Sequence, residues 1–479
     1  MYDSDSNQSL KSALKPRHVQ MMALGGVIGM GLFVGSSVVI QAAGPAAILS
    51  FLITGVLIIL VMRMLGELAT ASPVSGSFYA YARHAFQDSP YLSRLAGFMT
   101  GWMYWYFWVI VIALEAIVGA KLFAYWLPDT PQWIVSLVLL ALLTATNLFS
   151  VKSFGEFEFW FSSIKVAAIG LFIFLCTLYM FGLWPNHEAA GFGELLNHGG
   201  FMPNGWGPVL SGAVAATGFY FGAEIVTIAA AETKDPEKSV AKATQSVISR
   251  VLIFYVCSIL LVVCIVPWNS PEIATPYVSA LKVLNIPFVA DIMNVVILVA
   301  VLSCLNSGVY AASRMLFALT QNGDAPRSLT KLSKNGVPIR AILFSTLFGY
   351  LSILASYFSP DAVFPFLVES YGTVALFVYI VIAFSQIRLR RHLERVAPER
   401  LKVRMWCFPY LSYFAIIGML SIFAAMAFIP SLQKAFWFGI ASAGILFCIF
   451  IIRDYIELIK LRHQSTQLNT LIPAKQTKI

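Results

Sequence analysis

The stretch from Gly25 to Gly35 reads G-G-V-I-G-M-G-L-F-V-G and lies inside the first long apolar segment of the chain, at about residues 19–40. It holds five glycines, although each glycine destabilises a helix interior by about 1 kcal/mol relative to alanine. Inside a bilayer, backbone leaves the helix only where it lines a cavity or is buried in protein. The stretch therefore indicates either a broken helix whose free N–H and C=O groups face a ligand, or a helix that packs closely on a neighbour through small residues.

The composition of the 479-residue chain is typical of an integral membrane protein. Hydrophobic residues make up 59% and charged residues only 11%, which excludes the ordinary water-soluble classes. The polar N-terminal tail lacks the features of a cleaved signal peptide, so we expect the first span to be retained. Hydropathy predicts about twelve spans, at residues 19–40, 46–66, 96–127, 132–149, 158–182, 208–230, 249–267, 288–318, 340–358, 362–385, 406–429 and 434–453.

The distribution of positive charge predicts the orientation of these spans. With both termini on one face, that face receives all of the 32 lysines and arginines except Lys121, Lys282 and Lys434. Positive residues mark the cytoplasmic side, so we expect both termini in the cytoplasm. The net charge of +9 then faces solvent and anionic lipid, and we expect no nucleic-acid partner. All six cysteines lie in or beside apolar runs and the six histidines lie in loops or tails, so no metal site is expected.

The connections between spans also carry expectations. The sequence predicts a turn and a short surface helix in residues 73–86, and a connection in residues 151–160. It predicts a basic linker at residues 388–404 and a disordered polar tail after Arg453. Small residues at helical spacing between Ser303 and Arg314 indicate close helix packing.

A second glycine-interrupted segment lies in the sixth predicted span. Residues 217–224 read T-G-F-Y-F-G-A-E, with an acid at mid-span. Interrupted segments at corresponding positions of two five-span halves are typical of inverted-repeat transporters, with the binding site where the two halves meet. This correspondence favours the broken-helix interpretation of the first span.

The two breaks together predict the charge of the ligand. Amide donors at the start of a helix favour an anion such as a carboxylate, and unwound carbonyls favour an ammonium group. A site with both fits a zwitterionic amino acid, although a sodium site or an organic cation would use similar groups. Four ionisable residues inside predicted spans are functional candidates by default, and these are Glu115, Lys165, Glu224 and Glu369.

Each of these residues also has a structural explanation. Lys165 lies close enough to the span end to extend its amine to the membrane surface, and the acids could be partners for a cation or a hydroxyl. A membrane enzyme is disfavoured because no catalytic motif and no intramembrane histidine is present. A receptor or scaffold would need a larger soluble segment, and a channel would show flux that does not saturate at low substrate.

Six stretches together resemble the amino acid permeases of the APC superfamily, over about residues 14–460. They are G-G-V-I-G-M-G-L-F-V-G-S, P-V-S-G-S-F-Y-A-Y, S-V-K-S-F-G-E-F-E-F-W, G-F-M-P-N-G, F-G-A-E-I-V-T-I-A-A-A-E and N-S-G-V-Y-A-A-S-R-M-L. Within the family the chain is most similar to bacterial 4-aminobutyrate (GABA) permeases. The resemblance implies an all-α integral membrane protein of twelve helices with a LeuT-type fold, in which two inverted five-helix repeats precede two extra helices. It divides the chain into a tail (1–18), two repeats (19–182 and 206–385), helices 11 and 12 (406–453) and a second tail (454–479).

The resemblance also implies residue roles. The backbone at Gly29, Met30 and Gly31 would bind the substrate carboxylate. The corresponding segment of the sixth span would bind the amine, through Gly218, Phe219, Tyr220 and Phe221. Lys165 would carry the coupling proton between the first and eighth helices. Position 30 is often a small residue in the family, so the long Met30 side chain would reshape the pocket.

The implied activity is proton-coupled import of GABA or a close analogue across the bacterial inner membrane. The alternative is a permease or exchanger for another neutral amino acid. No cofactor is expected besides the proton, and the expected partners are the small amino acid and the lipid bilayer. The sequence does not predict the oligomeric state.

Overall fold

The structure is a computed structural model that describes residues 14–471 apart from 73, 75, 186, 230–231 and 234–235. The predicted N-terminal tail therefore lies outside the described residues except for 14–18. Within the described part of the chain, the only β contact is an isolated bridge between Leu14 and Thr233. The rest of the regular structure is helical, as the composition predicts.

Seven helices form the first part of the chain. They are α1 (Pro16–Gly25), α2 (Ser36–Ala43), α3 (Ala47–Ala71), α4 (Phe78–Ala85), α5 (Pro90–Phe123), α6 (Gln132–Phe149) and α7 (Val151–Met180). A π-helical turn, Gly31–Gly35, leads into α2, and the positive φ of 64° at Gly44 makes the turn between α2 and α3. This conformation suits glycine, which has no Cβ to clash.

Ten helices form the second part. They are α8 (Trp206–Phe219), α9 (Ile225–Ala229), α10 (Pro236–Arg250), α11 (Ser258–Ile265), α12 (Pro276–Val283), α13 (Val289–Gln321), α14 (Ile339–Phe358), α15 (Pro360–Val396), α16 (Tyr410–Phe428) and α17 (Gln433–Leu471). A second π-helical segment, Val251–Cys257, joins α10 to α11.

The count of uninterrupted spans differs from twelve. In the described ranges, nine helical segments are long and apolar enough to cross a membrane. The first two predicted spans share one such segment, Gly31–Ala71, because the turn at Gly44 is very short. The sixth span is absent from the nine because it is divided into α8 and α9, and the seventh contributes a shorter apolar helix, Ile253–Ile265, among the described residues. Hydropathy locates apolar chain, but it does not show where a helix unwinds.

Several predicted connections are wrong because helices continue past the apolar segment. Residues 151–160 belong to α7, which begins where the Ser150 hydroxyl accepts a hydrogen bond from the Ser153 N–H at 3.0 Å. The first part of the predicted basic linker continues α15 to Val396, whereas residues 397–404 do lie between α15 and α16, and the predicted disordered tail continues α17 as far as Leu471. Hydropathy marks where the side chains leave the hydrocarbon, and a helix does not have to end there.

The short helix α4 is present as predicted, but it is not a surface helix. Phe78, Tyr79 and Tyr81 are buried, and the Tyr79 hydroxyl donates to Asp324 Oδ2 at 2.6 Å. Asp324, just after α13, also pairs with Arg453 of α17 at 2.6 Å. These bonds fix α4 to the end of α13 and to α17.

The centre of the bundle is the contact between α5 and α13. A Cβ added to Gly308 would lie 3.1 Å from the Trp108 ring and 3.2 Å from Ile112. The small residues of α13 therefore serve close packing, as the sequence indicates. The long helices α7, α16 and α17 expose aliphatic and aromatic side chains outward, which suits contact with lipid.

Candidate substrate site between two helix breaks

The first predicted break is confirmed. Helix α1 ends at Gly25, residues 26–29 are not helical, and helical structure resumes at Met30. The first N–H groups of a helix have no partner inside the helix, so the restart leaves the amides of Gly29, Met30 and Gly31 as donors. Their dipoles make this a favourable place for an anion.

The second predicted break is confirmed, a few residues later than expected. Helix α8 ends at Phe219 and α9 begins at Ile225, so residues 220–224 form the turn. Two of the carbonyls in this region already accept a hydrogen bond. The Gly218 carbonyl accepts from the Phe221 N–H at 3.2 Å, and the Phe219 carbonyl accepts from the Tyr255 hydroxyl at 2.9 Å. Each keeps a second lone pair, which an ammonium group can use.

The two breaks contact each other through glycine backbone. A Cβ on Gly26 would lie 2.7 Å from the Gly222 carbonyl oxygen, and Gly222 has a φ of +123°. Any other residue at Gly222 would be strained by that backbone conformation and would collide with Gly26. These glycines are required because the two unwound chains meet without side chains between them.

Tyr255 joins the two breaks from the π-helical segment. Its buried hydroxyl lies within hydrogen-bond distance of the Val27 carbonyl in the first break and of the Phe219 carbonyl at the second. Nothing in the apolar run around Tyr255 signals this role, so sequence reasoning missed it. The single hydroxyl hydrogen is shared between the two carbonyls, so one side chain connects both unwound segments.

A small cavity of about 30 Å³ lies between the breaks. It has room for only a few water molecules, so an amino acid requires side chains to move. The Phe219 ring covers the first break, because a Cβ on Gly31 would lie 2.6 Å from that ring. The predicted residues that line the cavity are Gly29, Met30, Gly31, Gly218, Phe219, Phe221 and Glu115. Residues not predicted also line it, among them Gly26, Phe107, Trp108 and Cys304.

Three predicted residues do not line this cavity. The side chain of Tyr220 is buried behind it, where its hydroxyl donates to the Phe51 carbonyl at 3.0 Å. Glu224 lies behind the second break and accepts from the Gly222 N–H at 2.9 Å, from Tyr104 at 3.1 Å and from Tyr379 at 3.2 Å. Glu224 therefore connects the break to α5 and α15. Lys165 lies on the other side of the first break.

Lys165 does not extend to the membrane surface. Its amine is buried and donates to the Gly25 carbonyl at 2.6 Å and to Ser303 Oγ at 2.9 Å. It therefore connects α7 to the end of α1 and to α13. These contacts place it between the first and eighth spans.

A buried carboxylate that sequence reasoning missed completes this group. Glu158 accepts hydrogen bonds from Ser303 at 2.6 Å and from Ser162 at 3.0 Å. Glu158, Ser162 and Lys165 are spaced i, i+4 and i+7, so they share one face of α7. The helical spacing of these three polar residues in the sequence is the signal that could have identified Glu158.

Glu115 brings a second acid to the site. A Cβ on Gly29 would lie 3.9 Å from its Oε1, and its buried Oε2 has no hydrogen-bond partner among the described residues. An unpaired buried carboxyl oxygen beside a cavity is a candidate ligand or proton carrier. The third predicted acid, Glu369, has a side chain outside the described set.

Comparison with known proteins identifies the family. Residues 18–469 match the amino acid permease family model. The chain is 49% identical to the gamma-aminobutyric acid permease of Bacillus subtilis, over 94% of this chain and 95% of the relative. It is 45% identical to the gamma-aminobutyric acid permease of Escherichia coli (96% and 98% covered) and 38% identical to the aromatic amino acid transport protein AroP of Corynebacterium glutamicum (88% and 90% covered).

Solved structures show the same fold at low identity. The crystal structure of the Eremococcus coleocola manganese transporter matches with a TM-score of 0.55 at 13% identity, over 94% of this chain and 97% of that one. This likeness concerns the fold alone and agrees with the LeuT-type arrangement that the resemblance implies. With two broken helices at corresponding positions and a whole-length match to permeases, the chain belongs to the amino acid permease family and is a multi-pass membrane transporter rather than an enzyme.

Proposed function

We propose that this permease imports 4-aminobutyrate or a closely related amino acid together with a proton. The contact between two unwound segments, one offering amides and the other carbonyls, is the observation that carries the proposal. The choice of 4-aminobutyrate is supported by relatives of that name at 45–49% identity across nearly the whole chain.

The substrate carboxylate binds the amides at Gly29, Met30 and Gly31, and the amine faces the carbonyls of residues 218–221. Glu115, whose Oε2 has no partner among the described residues, lies beside Gly29 at the carboxylate end of this site. Because the cavity is about 30 Å³, Phe219 and Met30 move aside when the substrate enters. This movement is the local part of alternating access, in which the site opens to each face in turn.

Lys165 is the proposed proton carrier, and no further cofactor is involved. Its amine bonds to the Gly25 carbonyl at the last residue of α1 and to Ser303 of α13. Loss of the proton would weaken both bonds, since a neutral amine keeps two N–H groups but is a poorer donor than an ammonium group. Protonation is thereby linked to the position of α1 relative to α13, and Glu158 stabilises the charged form through Ser303.

The proposed location is the bacterial inner membrane, with both termini in the cytoplasm. The support is the lopsided distribution of lysine and arginine and the bacterial origin of the relatives. The repeats at 19–182 and 206–385 are the proposed moving units, with helices 11 and 12 outside them.

Uptake by purified protein in proteoliposomes tests this function. We expect radiolabelled 4-aminobutyrate to accumulate when the outside is made acidic and to equilibrate only when the pH gradient is collapsed. Accumulation that does not depend on the pH gradient would exclude proton symport.

The second candidate is a permease or exchanger for another neutral amino acid, which the 38% identity to an aromatic amino acid transporter favours. A competition panel of unlabelled amino acids separates the two candidates. Stronger competition by phenylalanine or alanine than by 4-aminobutyrate would show that the preferred substrate is another neutral amino acid. The proposed site between the breaks would stay the same.

A further inference from the structure

A basic groove lies outside the substrate site and shares no lining residue with it. A cavity of about 560 Å³ separates the end of α4 from the last turns of α15. A second cavity of about 260 Å³ shares His84 and His392 with the first and extends the groove to Arg400. We call this region the basic groove and define it by His84, Arg388, Arg391, His392, Arg395 and Arg400.

The helical spacing of α15 produces the positive charge of the groove. Arg388, Arg391 and Arg395 recur every three or four residues, so one helix face presents all three. The only carboxylate that lines either cavity is Asp88, which pairs with Arg388 at 3.0 Å. The positive charge therefore exceeds the negative charge that is available to balance it.

Three of the four arginines have no acidic partner among the described side chains, and two of these, Arg395 and Arg400, also keep free donors. Arg395 donates from Nε to the Arg391 carbonyl at 3.1 Å, within its own helix, and its terminal N–H groups remain free. Arg400 is exposed and makes no side-chain hydrogen bond in the described part of the protein. His84 adds no charge at neutral pH, since partial burial and the neighbouring Arg83 lower its pKa. An anion would find free donors at Arg395 and Arg400.

The position of the groove indicates where such an anion comes from. Arg391 donates to the Tyr413 hydroxyl of α16 at 2.8 Å, and Tyr413 stands beside the exposed side chains of Phe414 and Ile417. The rim of the groove thus adjoins a surface that faces lipid. Basic pockets at this depth bind lipid headgroups, and the planar guanidinium fork matches a phosphate group.

We propose that the basic groove binds a phosphate group, supplied by the headgroup of an anionic phospholipid. The volume of the groove is within the range of small-molecule sites. The headgroup would lie along the groove beside the end of α4, where the first cavity offers the free donors of Arg395 and the second those of Arg400. Because α4 is also fixed to Asp324 through Tyr79, the lipid would stabilise the whole end of the bundle.

The test measures lipid binding to the full-length purified protein by native mass spectrometry, independently of transport. The probes are dioleoylphosphatidylglycerol, dioleoylphosphatidylcholine and soluble sn-glycerol 3-phosphate. The variant is Arg395→Gln with Arg400→Gln, since neither side chain supports another helix. We expect phosphatidylglycerol affinity to fall about fivefold for each arginine, or roughly 25-fold together.

The matched control is Arg327→Gln with Lys331→Gln, which removes two exposed cations outside the groove. This control should bind phosphatidylglycerol like the unmodified protein. Preference for phosphatidylglycerol alone supports a lipid headgroup, and competition by glycerol 3-phosphate supports recognition of the phosphate itself. The proposal is overturned if the groove variant and the control bind phosphatidylglycerol equally, or if phosphatidylcholine binds as tightly.

Discussion

Replacing Lys165 by alanine separates coupling from transport. The Lys165 amine is buried and makes two hydrogen bonds, at 2.6 Å to the Gly25 carbonyl and at 2.9 Å to Ser303. Alanine has no titratable group, so nothing at this position can carry a proton between the two faces. The substrate groups between the breaks remain, so we expect substrate to bind and to exchange.

The size of the effect follows from one amine carrying one proton per substrate. One pH unit corresponds to about 1.36 kcal/mol, or a tenfold ratio. With the membrane potential clamped near zero and the outside about two pH units more acidic, the unmodified protein should concentrate 4-aminobutyrate up to about 100-fold. For Lys165→Ala, the ratio of the 4-aminobutyrate concentrations inside and outside should be about one.

The assay is radiolabelled uptake into proteoliposomes, paired with exchange against unlabelled substrate inside. Lys121→Ala is the control, since that exposed lysine lies over the Phe364 ring and does not line the cavity between the breaks. Retained exchange in Lys165→Ala shows that the variant is folded. Accumulation of more than about tenfold by Lys165→Ala would refute the assignment of the proton to this amine.

Three other substitutions test the site. Tyr255→Phe removes the one O–H that the Val27 and Phe219 carbonyls share, so we expect the free energy of unfolding of purified protein to fall by about 1–3 kcal/mol, more than for Tyr277→Phe, and equal losses would contradict the bridging role. Gly222→Ala should reduce uptake by about 100-fold or more, because a strained φ and a backbone clash together exceed roughly 2–3 kcal/mol. Gly170→Ala, in open space, should transport normally, and similar uptake by both variants would argue against contact between the breaks. Phe219→Ala removes the ring over the first break, so larger amino acids should become better competitors of uptake, and an unchanged selectivity would show that this ring does not limit the cavity.

The sequence predicts the breaks because glycine leaves a local signal. Five glycines in one apolar run and the T-G-F-Y-F-G-A-E segment both conflict with helix propensity, and the structure unwinds at both places. Lys165 is similarly visible, since a lysine inside a span is rare. Features that violate local preferences can be found without coordinates.

The partners of those residues could not be predicted in the same way. The sequence places Glu158 in a predicted polar connection, and only the structure, in which α7 begins at Val151, shows that it lies on a helix. Tyr255 lies in an apolar run where a tyrosine is ordinary, and its role depends on two carbonyls distant in sequence. Glu224 is found as an intramembrane acid, but Tyr104 and Tyr379 come from other helices. Tertiary contacts of this kind have no local pattern.

The most direct test of the account is a cryo-electron microscopy structure with 4-aminobutyrate bound. We predict the carboxylate at hydrogen-bond distance, about 3 Å, from the amides at Gly29 to Gly31, and the amine facing the carbonyls of residues 218–221. Substrate density away from both breaks, or first and sixth spans that are continuously helical around it, would contradict the account.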